Sequence, residues 1–482
     1  MINFLTDAIS WLNSTVFMKI PFFGSEIPWV VLWLAIPMVI FTIWFGFINL
    51  RAIPTAFRVL RGRYDDPKAP GHISQFSALT TALSGTVGLG NIAGVAVAIA
   101  SGGPGAAFWM FIIGFFAMTL KCAEVTLGLK YREVDADGTV RGGPMYSLKN
   151  GFRAKGMAKL GLVLGGIYAV LLFVGAIPMV QVNQSLSALV STSGMENSFN
   201  NKLIFGLVMA FFVGLVVIGG VKRLGRVTSI LVPFMALIYL TGVLIIIAVN
   251  FAEVPNAIAL IVSDAFSGDA VAGGMVGAFI VGMQRAVYSS EAGVGSAVVA
   301  HAQARTHEPA SEGLVALLEP FIDTVIVCSL GAIAIVLAGT WQVPEGDISI
   351  TVAAFAQISS WFPWLLTLAV LLFAHSTLCA WGFYGLQGFE YMFGAGKWRS
   401  LGYKLAYIFV LPVAALLDKN SVFDLIDSAF FLMAIPNVIA LYLFAPELRR
   451  DLLDYMGRSA RGEIPLARSD NKIPQIQRDT GL

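Results

Sequence analysis

The sequence predicts an all-α integral membrane protein of eleven transmembrane helices, in which one extra N-terminal helix precedes two five-helix repeats of opposite orientation. Three observations predict it. The 482 residues are 57% hydrophobic and only 12% charged, whereas a soluble domain carries about 25% charged residues. Apolar runs of bilayer length recur along the whole chain. Lys and Arg gather in alternate connections between those runs.

The elements follow in order. Residues 1–27, with Trp11, Phe17, Phe22 and Phe23, read as an extracytoplasmic interfacial segment. This stretch lacks a basic leader and a cleavage site, so no signal peptide is expected. Spans are expected at 28–50, 75–101, 105–131, 160–190, 203–220, 226–250, 272–301, 313–339, 361–390, 401–417 and 422–446. The loops after the first, third, fifth, seventh and ninth spans, with the tail 447–482, hold 26 of the 31 basic residues. That bias sets the N-terminus outside and the C-terminus in the cytoplasm, in a cytoplasmic (inner) membrane. The polar tail reads as loosely ordered.

With the helix at 28–50 set aside, five spans fall in 75–250 and five in 272–446. Each half opens on a helix interrupted by glycines, near Gly85–Gly90 and near Tyr288–Gly295. Because five is odd, the second half enters from the opposite side. Glycine costs roughly 1 kcal/mol against alanine inside a helix. Unwound backbone at membrane depth survives only where protein or a watery cavity meets it. Matching breaks in inverted repeats are the sequence pointer to a transport site.

The two breaks offer complementary chemistry. The first inner half-helix ends near Ser84–Val87, and its free carbonyls at the negative end of the dipole suit a small hard cation. The outer half starts at Gly88, Leu89, Gly90 and Asn91, whose free amides suit a carboxylate. Carbonyls of the second break, near Val287, Ser289 and Ser290 with Gly293 just beyond, suit an ammonium. A small zwitterionic amino acid matches this layout.

The string Val87-Gly88-Leu89-Gly90-Asn91 resembles the unwound first core helix of the neurotransmitter:sodium symporters. The wider strings ALSGTVGLGNIAGVA, YSSEAGVGSA and HSTLCAWGFYG are similar to those of the alanine or glycine:cation symporter family, and the likeness extends over nearly the whole chain. The resemblance implies a LeuT-type inverted repeat and sodium-coupled uptake of alanine, glycine or a related small neutral amino acid. It implies that the carbonyls of Ser84 and Val87, with the hydroxyls of Ser376 and Thr377, hold sodium. It also implies a second sodium near Thr86 and Asn91, although Asn91 reads equally as a clamp on the broken helix.

Other residues carry two readings each. Trp381 lies one turn after Thr377 and either walls the substrate pocket or packs. Gln181 follows Pro178 and either contacts substrate or bonds a neighbouring helix. Glu291 in the second break either meets the ammonium or braces the unwound backbone. Arg285 needs a partner, with Glu319 and Asp323 as candidates. Lys121 and Glu124 either pair or snorkel, or join an inner gate. His375 reads as a neutral hydrogen-bonding residue or a proton-coupling group. Cys122, Cys328 and Cys379 read as small buried apolar residues.

No P-loop, GxSxG or HExxH occurs, so ATP-driven pumping and hydrolysis lack support. No basic patch suits nucleic acid, and no His/Cys/Asp set has metal-ligand spacing. The expected partners are a small neutral amino acid, Na+ and the lipid bilayer. Sodium is the coupling ion and no cofactor is expected. The alternative is a proton-coupled amino-acid transporter of the same fold.

Overall fold

A computed structural model describes residues 2–22, 25–267, 274–342, 348–417 and 421–467. The N-terminal segment forms a helix, α1 (Ile2–Val16), and an antiparallel hairpin, β1 (Lys19–Phe22) with β2 (Ser25–Pro28). The helix α2 (Trp29–Trp44) follows, then α3 (Ile48–Arg51) and α4 (Ile53–Leu60). The expected span 28–50 is therefore shorter as a helix. Gly46 and Phe47 take left-handed φ values of 68° and 55°, and the chain turns there.

The next elements are α5 (Gln75–Thr86), α6 (Leu89–Gly102) and α7 (Gly105–Lys130). Ser74 starts α5 by accepting the Ser77 amide at 3.1 Å, the usual N-cap arrangement. A two-residue hairpin, β3 (Glu133–Val134) with β4 (Val140–Arg141), leads to α8 (Pro144–Ala154). Then come α9 (Ala158–Gly175), α10 (Met179–Ser193), α11 (Phe199–Val217), α12 (Gly220–Val249) and α13 (Val254–Ala265). Pro178 lacks the N–H that would continue α9 into α10, so the run 158–193 bends there.

The remainder of the chain is helical as well. It contains α14 (Gly274–Ser290), α15 (Val298–His301), α16 (Pro309–Ala316), α17 (Leu318–Pro320), a π-helical stretch (Phe321–Cys328) and α18 (Ser329–Ala338). After these come the short α19 (Ser349–Ala356) and the long α20 (Phe362–Phe393), α21 (Lys397–Leu416) and α22 (Ser421–Arg461).

Among the described residues, eight helices are long and apolar enough to cross a membrane, or nine when α5 and α6 count as one span bent by 40°. This is an all-α membrane protein apart from its two small hairpins. The eleven expected runs all contain helix, but α2 and α14 have only 16 and 17 residues. The expected run 272–301 begins with two residues outside the described set.

The tail departs from expectation. Helix α22 continues to Arg461 instead of loosening near 449. Ion pairs hold it: Lys130 meets Glu447 at 2.6 Å and also Asp451, and Arg458 meets Glu308 at 2.9 Å. Residues 468–482 lie outside the described set.

Helices α5, α7, α16 and α20 are buried almost all round, while α11 and α12 turn Phe211, Phe212, Ile230 and Leu237 outward. Large apolar side chains on the outer helices match a lipid surround. The close approach of α16 to α7 is made by Gly313. A Cβ there would lie 1.9 Å from Thr126 Oγ1 and 2.8 Å from the Cys122 carbonyl oxygen. Gly313→Ala is therefore expected to destabilise the fold by about 1–3 kcal/mol. A thermal melt of the purified variant checks this, and an unchanged midpoint would contradict the close packing.

Candidate functional site

The first break is tighter than the sequence suggests. Helix α5 runs through Thr86, and only Val87 (ψ 89°) and Gly88 (ψ −151°) leave helical geometry before α6 begins at Leu89. The expected break at Gly85–Gly90 narrows to these two residues because Asn91 closes the turn from within. Its Oδ1 accepts the Gly88 N–H at 3.1 Å. Its amide donates to Ser289 Oγ at 3.0 Å and toward Cys328 Sγ at 3.5 Å. One fully buried carboxamide thus ties the first break to the second and to the π-helical stretch.

Helix α20 covers the other side of the break. Thr377 Oγ1 donates to the Ser84 carbonyl at 2.9 Å, and Ser84 Oγ donates to the Ser376 carbonyl at 2.7 Å. Ser376 Oγ donates to Phe373 O at 2.9 Å. Gly88 has no side chain because Thr377 needs the space: a Cβ there would stand 2.9 Å from Thr377 Oγ1. Ser84, Gly88, Ser376 and Thr377 are therefore brought together, and Val87 lies in the chain between Ser84 and Gly88. Thr86 turns its hydroxyl back to Ala82 O at 3.3 Å.

Trp381 is nearly buried and donates its indole N–H to the Gly85 carbonyl at 3.3 Å. Tyr384 and Phe430 stand against its ring, with centroids 5.5 and 6.2 Å away. Tyr384, which nothing in the sequence marks, has a buried hydroxyl without a hydrogen-bond partner among the described residues, and a Cβ on Gly85 would meet it at 2.9 Å.

The second break starts after Ser290. Glu291 takes a left-handed φ of 50°, and Gly293 and Gly295 take φ of 85° and 88°. The Glu291 carboxylate accepts from Ser296 Oγ, a contact within the loop. Ser289 Oγ meets Thr324 Oγ1 at 2.8 Å, and Ser290 Oγ accepts the Ala292 amide at 3.3 Å. The Tyr288 carbonyl faces Gly90, 3.8 Å from where a Cβ would stand. The Tyr288 carbonyl, near the end of α14, therefore approaches the first turn of α6. The Leu89 side chain lies outside the described residues.

Some candidates lie elsewhere. Gly293 faces away from the first break: its N–H donates to Glu124 Oε2 at 3.0 Å, and its carbonyl accepts from Asn437 at 2.9 Å. Gln181 stands half-buried on α10, its carbonyl accepting from Ser185 Oγ at 2.7 Å. His375 points toward Phe212 and Cys379, away from the Ser376 contacts.

One expectation is corrected. Arg285 does not pair with Glu319 or Asp323. It lies over the Tyr288 ring at 5.9 Å, beside Asp427 on α22. Helix rotation decides this, because Glu319 turns toward Lys121 at 3.7 Å instead. Lys121 and Glu124 follow the pairing reading rather than snorkelling. They pair at 3.2 Å with no exposure at all, deep between α7 and α17. Cys328 is also more than filler, since its thiol contacts Asn91 and Ser289.

The profile described as the sodium:alanine symporter family matches residues 9–469. The chain is 37% identical over 409 residues to "Sodium/alanine symporter AgcS" of Methanococcus maripaludis, covering 84% of this chain and 89% of that protein. It is 32% identical to "Amino-acid carrier protein AlsT" of Bacillus subtilis, covering 97% of both. Among solved structures it is similar to MhsT in complex with L-phenylalanine, with a TM-score of 0.55 at 15% identity, covering 78% of this chain and 89% of that one. That likeness is one of fold. Family and fold agree on a multi-pass membrane transporter rather than an enzyme, and this chain belongs to the sodium:alanine symporter family.

Proposed function

We propose that this protein is a secondary active transporter that carries alanine, glycine or a related small neutral amino acid into the cell together with sodium. The observation that carries the reading is the meeting of Ser84 and Thr377 at the first break, 2.9 Å apart. A carbonyl at a helix C-terminus and two hydroxyls on the facing helix form an oxygen set suited to a hard monovalent cation. Sodium taken between Ser84, Val87, Ser376 and Thr377 replaces the direct hydrogen bond and fixes α5 against α20. A second sodium near Thr86 and Asn91 sits beside the carboxylate seat on the Gly88–Asn91 amides.

The substrate reading rests on charge and size. The carboxylate takes the α6 amides, and the ammonium takes the Tyr288–Ser290 carbonyls, with Ser289 and Ser290 at hand. Trp381, packed between Gly85, Tyr384 and Phe430, limits the side chain. The name of the archaeal relative, a sodium/alanine symporter, points the same way.

The matching order of elements in the two halves supports two inverted five-helix repeats, 75–250 and 272–446, behind one extra helix. Each half contains a broken helix, a long helix, a short helix and three further spans. The same reading gives eleven spans in a cytoplasmic membrane, with an outer N-terminal segment 1–27 and a cytoplasmic tail from 447. Alternating access follows when filling both seats closes the outer path and releases the inner one. By linkage, sodium then raises substrate affinity by the same factor that substrate raises sodium affinity.

Thr377→Ala removes one oxygen ligand and one hydrogen bond. It is expected to raise the sodium concentration for half-maximal uptake by about tenfold, the equivalent of roughly 1.4 kcal/mol. An unchanged sodium dependence would remove Thr377 from the ion site. Trp381→Ala is expected to admit larger competitors. Inhibition of alanine uptake by leucine should strengthen, and a competition profile identical to wild type would place Trp381 outside the pocket.

A further inference from the structure

Behind the second break runs a chain of buried ionisable groups that the transport reading does not use. His301, at the end of α15, bridges two carboxylates. Its Nδ1 lies 2.7 Å from Glu312 Oε1 on α16, and its Nε2 lies 3.4 Å from Glu319 Oε2 on α17. Glu319 then meets Lys121 at 3.7 Å, Lys121 meets Glu124 at 3.2 Å, and Glu124 accepts from the Gly293 amide of the second break. All five side chains are fully buried or within 1% of it.

Hydrogen-bond chemistry restricts how this unit holds protons. A neutral imidazole has one donor and one acceptor. With a carboxylate against each nitrogen, either the ring is an imidazolium or one carboxyl is protonated. In both forms His301, Glu312 and Glu319 share one proton beyond the neutral ring and two carboxylates. Losing it sets a ring lone pair against a buried carboxylate, which low dielectric makes costly. The surroundings add acids more than bases. Lys121 and Glu124 face the unit from α7, Arg132 from the connection after it, Glu291 from the second break, Asp323 from the π-helical stretch, and the Gln75 amide from α5. Arg132 is engaged by four backbone carbonyls, those of Pro70, Ala302, Ala304 and Thr306. Among the described residues, Glu312 Oε2 and Glu319 Oε1 accept no hydrogen bond.

The unit also has a route to water. A pocket of about 710 Å³ on the face proposed as cytoplasmic is lined by Asp65, Asp66, Gln75, Arg305, Ser311 and Tyr455, among others. Gln75 donates to Ser311 Oγ at 3.1 Å, and Ser311 is the residue before Glu312.

We propose that His301, Glu312 and Glu319 form a proton-binding latch that holds α15 against α16 and α17 and exchanges its proton with the cytoplasm through this pocket. The assignment of the inner face rests on the transport reading above. The packed form binds the proton and the separated form releases it. By linkage, rising pH on that face favours separation, by about tenfold per pH unit for one proton.

Hydrogen exchange read by mass spectrometry on the full chain in nanodiscs tests this. After correction for the intrinsic pH dependence of exchange, amides of 298–317 are expected to open about tenfold more per pH unit through the neutral range. In Glu312→Gln the carboxamide donates to the ring without a titrating proton, and the slope is expected to vanish. Glu319→Gln repeats the test if the first variant does not fold. A flat wild-type profile, or a slope retained in the folded variant, would overturn the latch. Sodium-driven uptake by the same wild-type preparation is scored separately. Its failure would sink the transport reading while leaving the exchange result to decide on the proton site.

Discussion

An interrupted helix inside a bilayer leaves N–H and C=O groups that no lipid can satisfy, and each costs several kcal/mol if it stays unpaired. The two breaks of this protein are built around that constraint. At the first, Asn91 takes the Gly88 amide and Thr377 takes the Ser84 carbonyl. At the second, Glu124 and Asn437 take the amide and carbonyl of Gly293. The partners come from α6, α7, α20 and α22, so the breaks pin together elements that are distant in sequence. Groups whose partners can be exchanged for an ion or a substrate are the ones a transport cycle can use.

The two sides of the second break differ in character. Toward the first break lie hydroxyls, amides and carbonyls, a neutral polar lining. Away from it lie Glu124, Lys121, Glu319, His301 and Glu312, a buried run of charge-bearing groups. Truncating one partner of a buried ion pair typically costs 3–5 kcal/mol, because the other charge is left unpaired. This run therefore resists separation of α7, α15, α16 and α17 unless a proton moves. The neutral lining can reorganise at lower cost, since each hydroxyl can rotate to a new partner.

Much of the fold was legible because hydropathy and glycine punctuation report membrane helices directly. The breaks followed from strings rich in glycine and hydroxyls, and the grouping of Ser84, Ser376 and Thr377 from the family resemblance alone. Sequence could not give helix rotation. Glu319 lies a few residues from Asp323 in the chain, yet it faces Lys121 while Arg285 faces Tyr288 and the α22 side. Tyr384, Thr324 and Cys328 looked like ordinary span residues, because only the π-helical stretch and the α20 register aim them at the breaks. His301 is the last residue of the expected run 272–301, and nothing in the sequence marks it as buried. The fold instead caps that end with α16 and buries the ring. The helix α22 outran its hydropathy because ion pairs to Lys130 and Glu308 carry its polar end.

The central claim is that ion and amino acid occupy neighbouring seats at the first break and move together. Uptake of labelled alanine into proteoliposomes, with an inward sodium gradient against a potassium control, addresses it most directly. Concentrative uptake with sodium alone is the expected result. Uptake indifferent to sodium, but abolished by a protonophore, would contradict the sodium site and leave the Ser84–Thr377 contact as a helix brace.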